Sequence, residues 1–328
     1  VSQLTIGIPT YNRPHLLPRA LRTALHQSIP VRVIVADDGD PGPTAELLAS
    51  AEFADRDIVH LVTDAECCWA NWRACALACE TEYFAWLQDD DVVRDTFAER
   101  IVDVLDFFPD SNLWMARLAS GFGRSDQVLG LPYKGSSPWV PMDLLEGKPA
   151  RWMGGEILAA TSYLTSWTLC PGQAYRVNDH FVEALASMPE NSDMFIERLF
   201  PARLAVHAPI VVDPIIAGYW IQHARNLSAR QSGDAAEVKL QLGAFLRSLD
   251  STMDWVEEHG TDWRSMCRRW LAWIPPDILG GWLKNVQNIP EDVARGRYLD
   301  QVVEVMSEPF TNIHKIEIPV EAAEVPAA

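Results

Sequence analysis

The chain has no uninterrupted run of the roughly 18 apolar residues that a membrane-spanning helix needs. Its opening, VSQLTIGIPT, carries no basic stretch leading into an apolar segment and a small-residue cleavage site. A cytoplasmic protein is the expectation, with peripheral attachment at a membrane as the alternative. Positive charge is scarce: 27 lysines and arginines face 45 aspartates and glutamates, for a formal net charge of −18. Such a surface lacks the basic footprint that nucleic acid requires and disfavours tight binding to anionic lipid. An anionic small substrate stays compatible if local cations or a metal reverse the field at its site. The six cysteines, Cys67, Cys68, Cys75, Cys79, Cys170 and Cys267, show no paired CxxC spacing, and the first four lie too close together to read as a disulfide framework. Reduced, mostly buried thiols are expected. No internal repeat occurs.

What is present is a globular composition, 48% hydrophobic and 22% charged. The 328 residues suffice for one large α/β domain with an appendage, or for two modest domains. LTIGIP reads as a short buried strand, and PHLLPRALRTALHQS after it has apolar residues at helical spacing, with Pro18 in the first turn where its missing N–H is harmless. Three more strand-then-helix units follow: VRVIVADDGD and PTAELLAS, DIVHLV and WANWRACALACE, YFAWLQ and TFAERIVDVLDFF. This alternation predicts a mostly parallel, Rossmann-like sheet flanked by helices, whose ligands gather beyond the carboxyl ends of the strands.

Asp89, Asp90 and Asp91 follow YFAWLQ directly, so three acids stand where a ligand would stand. Adjacent carboxylates at a strand end are costly unless water solvates them or a cation binds them. A divalent metal shared between aspartate and substrate phosphate is the functional reading, and a solvated acidic loop is the bland one. Residues 120–150, rich in Gly, Pro and Ser, suggest a long surface excursion able to act as a lid. After residue 230 the pattern turns helical, broken by Pro275, Pro276 and Pro290, and the final residues look frayed. The tryptophans of that region, Trp255, Trp263, Trp270, Trp273 and Trp282, are expected to pack helices or a partner subunit, a route to a homo-oligomer.

Several separated segments together resemble the inverting family-two glycosyltransferases of the GT-A fold: TIGIPTYNRPHLLPRALRTALHQS, VIVADDGD, NWRACALACETEYFAWLQDDDVV, PENSDMFIERL and YWIQHARNLSAR. The resemblance covers the first 120 residues well and thins to islands up to about 230. It implies a GT-A domain over 1–230, with a donor half at 1–119 and an acceptor half at 120–230, to which the residue pattern adds a helical appendage at 231–314 and a flexible tail at 315–328. It further implies transfer of a sugar from a nucleoside-diphosphate sugar, with UDP as the favoured carrier, to a carbohydrate or glycoconjugate hydroxyl with inversion, in polysaccharide or glycoconjugate biosynthesis. The implied cofactor is Mn²⁺ or Mg²⁺.

By the same resemblance Pro9, Thr10, Tyr11, Arg13, Asp38, Asn71, Arg73 and Asp89 border the nucleotide. Asp90, Asp91 and His223 are the implied metal ligands, Asp90 foremost. Asp193 takes the place of the catalytic base, with Glu190 and Glu197 as rivals, and Trp167, Gly172, Arg225 and Arg230 belong to the acceptor side or a lid. Two positions depart from the family pattern: Gln88 fills the slot of the first aspartate in the metal motif, and Ser192 replaces a glutamate beside Asp193. Two other functions stay open, a nucleotidyltransferase and a non-catalytic nucleotide or sugar binder. The first usually needs a Gly-rich loop and a following Lys near the first strand, and GIPTYNRP has neither.

Overall fold

A computed structural model describes residues 2–122, 131–132, 150–152, 170–189, 196–222, 235–265, 268, 299–307 and 320–322. The first half is built from β1 (Leu4–Thr10), α1 (Leu17–Leu25), β2 (Val31–Asp37), α2 (Pro41–Leu48), β3 (Ile58–Val62), α3 (Cys68–Leu77), β4 (Tyr83–Trp86), β5 (Val92–Val93) and α4 (Phe97–Phe107). The rest comprises β6 (Leu113–Phe122), β7 (Leu131–Pro132), β8 (Ala150–Trp152), β9 (Gln173–Arg176), α5 (Asp179–Ser187), α6 (Ile196–Leu204), β10 (Ile210–Gln222), α7 (Ala235–Glu258), α8 (Leu299–Ser307) and β11 (Val320–Ala322). All described strands join one sheet in the order β11-β8-β10-β6-β9-β4-β1-β2-β3, with β5 on β10 and β7 on β6. Strands β3, β2, β1 and β4 are parallel, β9 inserts antiparallel between β4 and β6, and β6 and β10 are again parallel. This is a mixed α/β fold with a mostly parallel sheet, the architecture that the resemblance implies.

Two cores form because successive side chains of a strand point to opposite faces. Val33 and Val35 of β2 join Leu17, Leu21 and Ile101 of α1 and α4 on one face, while Ile34 and Ala36 join Trp72, Trp86, Phe181 and Phe200 on the other. Both faces are covered, which is why these strands read as nearly continuous apolar runs. Gly7 of β1 lets α3 lie close against the sheet, since a Cβ there would stand 2.8 Å from the Cys75 Cβ.

Three features go beyond the sequence reading. Leu246, Leu249, Met253 and Val256 of α7 and Val305 of α8 belong to the same core as Trp86 and Phe84, with α7 packed on α6. In the expected frayed tail, Val320–Ala322 pairs antiparallel with β8. Strand β10 runs through Pro214, which a strand interior normally rejects. The register shifts between Asp213 and Ile216 accommodate it. Most of the 120–150 excursion lies outside the described residues, as does Cys267. No helix among the described residues is long and apolar enough to cross a membrane.

Candidate functional site

The parallel register brings the acids to β1. Gly7 pairs with Trp86, so three residues further along each strand Thr10 meets Asp89. The Thr10 hydroxyl donates to Asp89 Oδ2 at 2.8 Å. Thr10 also pairs with Asp37 across β2, and its carbonyl accepts from the Asp38 amide at 3.1 Å. The half-buried Asp38 accepts from the Ala65 amide at 2.6 Å. Asn71 of α3, which is buried, is fully occupied: its amide donates to the carbonyls of Thr10 and Ala36, and its oxygen accepts from Thr63. It holds the ends of β1 and β2 together. Pro9 is buried within β1, whereas Tyr11 just beyond the strand is 61% exposed.

The loop after β1 turns sharply at Asn12, whose φ is +53°, a conformation that asparagine tolerates better than most residues. Its side-chain oxygen accepts from the Asp40 amide at 3.0 Å. Gly39 permits this clasp, because a Cβ there would lie 2.4 Å from Asn12 Oδ1. The loops that follow β1 and β2 are thereby locked together.

From the clasped loop Arg13 reaches back across the acids, its Nη1 3.1 Å from Asp89 Oδ1 and 3.2 Å from Asp90 Oδ2. Arg19 of α1 donates to the Asp90 carbonyl. Asp91 is fully enclosed: Oδ1 accepts from the Ile221 amide at 2.8 Å and Oδ2 has no hydrogen-bond partner among the described residues. Asp91 thus fastens the acidic turn to β10, two residues before His223. Gln88 donates to Glu197 Oε1 at 3.2 Å, and the Glu197 carbonyl accepts from Gln173, fixing the start of α6 beside the same turn.

Burial, followed by the neighbouring Asp90 charge, pushes the Asp89 carboxyl up to about 6, against the opposing pull of Arg13 and Thr10. Asp91 is pushed well above the usual carboxylate range, by burial first and by Asp90 second. Burial also raises Glu197. For Arg13, burial works to lower its pKa, but Asp89 and Asp90 together hold it above the ordinary value.

Three carboxyl groups stand together beside the guanidiniums of Arg13 and Arg19, and Asp91 Oδ2 is enclosed with no hydrogen-bond partner among the described residues. This all-oxygen set fits a hard dication such as Mg²⁺ or Mn²⁺. Arg13, about one quarter exposed, is able to turn outward from the carboxylates.

Of the residues the sequence singles out, Pro9, Thr10, Tyr11, Arg13, Asp38, Asn71, Asp89, Asp90 and Asp91 converge on this corner. Arg73 lies on α3 with its Nε enclosed. Gly172 is buried at the start of β9, its carbonyl accepting from the Ala116 amide at 2.8 Å. Asp193, Trp167, His223, Arg225 and Arg230 lie outside the described residues. Sequence reasoning missed Arg19 and the Gln88–Glu197 bond. The facing of Thr10 and Asp89 was within reach, given the register of two parallel strands.

Residues 5–154, just under half of the chain, match the sequence profile described as "Glycosyl transferase family 2". A sequence search of curated proteins finds no match. Among solved structures, crystal structures of S. aureus TarS are similar in fold. TarS 1-349 superposes with a TM-score of 0.58 at 13% identity, covering 92% of this chain and 83% of that one. The same protein in complex with UDP-GlcNAc gives 0.58 at 13% identity over 93% and 89%, and in complex with UDP 0.55 at 13% over 93% and 89%. The chain therefore has the GT-A fold, and its first half carries the sequence pattern of glycosyl transferase family 2.

Proposed function

We propose that this protein transfers a sugar from a nucleoside-diphosphate sugar to an acceptor hydroxyl with inversion. The observation that carries the reading is the array Thr10–Asp89–Arg13–Asp90 across the ends of β1 and β4, within the segment matching the family profile. UDP is the favoured carrier, since similar TarS structures were determined with UDP and with UDP-GlcNAc. Tyr11 offers an open ring beside the base and Asp38 an acceptor for a base N–H. Asp89 faces the ribose or sugar, and Asn71 keeps the two strand ends in place without touching the nucleotide.

Asp90, with His223, is the proposed holder of Mn²⁺ or Mg²⁺, which when bound neutralises charge developing on the departing diphosphate. Arg13, released from the carboxylates, turns to the diphosphate, where a guanidinium matches phosphate geometry. Asp193 accepts the acceptor proton as the hydroxyl attacks from the face opposite the nucleotide. Support for placing that base here comes from Glu197, four residues on, which is bonded to Gln88. Trp167, Gly172, Arg225 and Arg230 are assigned to acceptor binding or closure, the acceptor being a carbohydrate or glycoconjugate.

The test is a panel of nucleoside diphosphates and their sugars with and without Mn²⁺, read by thermal shift and by nucleotide release. One UDP-sugar should stabilise the protein and release UDP slowly without acceptor. Pyrophosphate from a nucleoside triphosphate and a sugar phosphate would instead identify a nucleotidyltransferase, and tight binding without turnover a binder.

A further inference from the structure

A second cluster of ligating side chains lies at the opposite edge of the sheet. β9 runs antiparallel to β4, Arg176 pairing with Tyr83, so the chain leaves β9 at the edge where β4 begins and enters α5 there. His207 sits in the turn between α6 and β10, at the edge where the parallel strands β6 and β10 start. The aspartates stand past the far end of β4. At the near edge, His180 and Glu183, one turn apart on α5, meet His207.

His180 Nδ1 is 3.9 Å and His207 Nε2 4.0 Å from the same oxygen, Glu183 Oε2, and one donor atom from each of the three residues lies within 4.8 Å of the others. The two imidazoles are stacked, ring centres 4.3 Å apart and nearly parallel. The His207 side chain is only 10% exposed, yet its Nε2 is enclosed and makes no hydrogen bond among the described residues. Leaving a buried ring nitrogen unsatisfied is costly unless something else occupies it. Behind it, His259 of the turn after α7 stands edge-on to His207 at 5.0 Å and bonds to the Trp255 carbonyl through Nδ1.

We propose that His180, Glu183 and His207 form a zinc site, with a water in the fourth position. Two imidazoles and a carboxylate are a zinc donor set, unlike the aspartate corner, whose described donors are all oxygens and suit Mg²⁺ or Mn²⁺. Zinc bonds of about 2.0–2.2 Å put tetrahedral ligands roughly 3.3–3.5 Å apart, so the two distances to Glu183 must shorten by roughly half an ångström and the distance between the imidazole nitrogens by at most about 1.5 Å. His180 and Glu183, with side chains 47% and 52% exposed, are free to turn. The bound ion would brace α5 against the α6–β10 turn.

The experiment uses untagged protein stripped with EDTA and dialysed, titrated with Zn²⁺ against a chromophoric chelator, and separately with Co²⁺ read by visible absorption. Wild type should retain one zinc and give the absorption of four-coordinate cobalt without thiolate charge transfer. His180→Ala and Glu183→Gln, both changed at exposed side chains, should each weaken zinc binding at least about tenfold, as loss of even an outer partner does, while Asp90→Asn leaves it unchanged. The proposal is overturned by absence of competitive zinc binding, by unchanged affinity in both variants, by loss in Asp90→Asn alone, or by a thiolate band pointing to Cys67 and Cys68.

Discussion

Gln88 and Glu197, 109 residues apart, are hydrogen-bonded at 3.2 Å, joining the acidic turn after β4 to the first turn of α6. If Glu197 anchors and Asp193 is the base, the variants separate. Asp193→Asn should keep nucleotide binding and lose about 10²–10⁴-fold in turnover, the usual contribution of a general base. Glu197→Gln, which keeps an acceptor oxygen for Gln88, should lose less than about tenfold. The opposite ranking of rates would make Glu197 the base.

Asp90→Asn should remove the dependence of turnover on Mn²⁺ while leaving the fold intact, if Asp90 is the principal metal ligand proposed above. Wild-type rates in a metal titration of this variant would refute the assignment.

The Asp89 carboxyl, held up to about 6, links the fold to pH. An unfolded aspartate titrates near about 3.9, so the folded chain keeps this proton over the window between. The associated stability is full below about pH 4 and is lost as pH rises through about 6. In metal-free urea unfolding between about pH 5 and about pH 7, wild type should lose more stability than Asp89→Asn. Asp91, shifted in the same direction, leaves a remnant of the slope in the variant. Equal slopes would show that Asp89 is ionised normally.

Asp213 is fully buried, receives Arg100 Nε at 2.7 Å and accepts from the Trp114 indole at 3.1 Å. Asp213→Ala should destabilise by about 3–5 kcal/mol, because Arg100, 11% exposed, would be left with an uncompensated charge. Urea midpoints measure this; a change under about 1 kcal/mol would mean that water reaches the guanidinium.

Cys68 is exposed at the first position of α3, close enough for its charge to act on Arg13, while Cys75 and Cys170 are buried. Burial pushes the Cys75 thiol up to about 12 and raises Cys170 as well. A thiol reagent should therefore modify Cys68 quickly and spare Cys75 and Cys170 until unfolding. Saturating UDP should slow the Cys68 reaction several-fold if the diphosphate sits against Arg13; an unchanged rate would move the donor elsewhere.

The first four strand–helix units were legible because β1, β2 and β4 are apolar on both faces and α1 has a clean buried stripe, Leu17, Ala20, Leu21 and Ala24. β10 was not, because Asp213 and Pro214 interrupt its pattern and only Arg100, Trp114 and the shifted register make them tolerable. β11 was hidden by its shortness and its flanking Pro and Glu residues. At the site, the aspartates announced themselves by following a buried strand. Arg19 and the pairings that Arg13 and Glu197 make had no local signal, since the partners lie 71 to 109 residues away.

The shared core of α7 with Trp86 and Phe200 bears on how the protein can be cut. A shortened version ending near residue 230 would remove Leu246, Leu249, Met253 and Val256 from the core that holds the aromatic cluster of Trp69, Trp86, Tyr175 and Phe200, and would bare the face of α6 on which α7 packs. Such a fragment would be sticky and prone to clump, so the smallest piece that folds by itself should extend through the long helix.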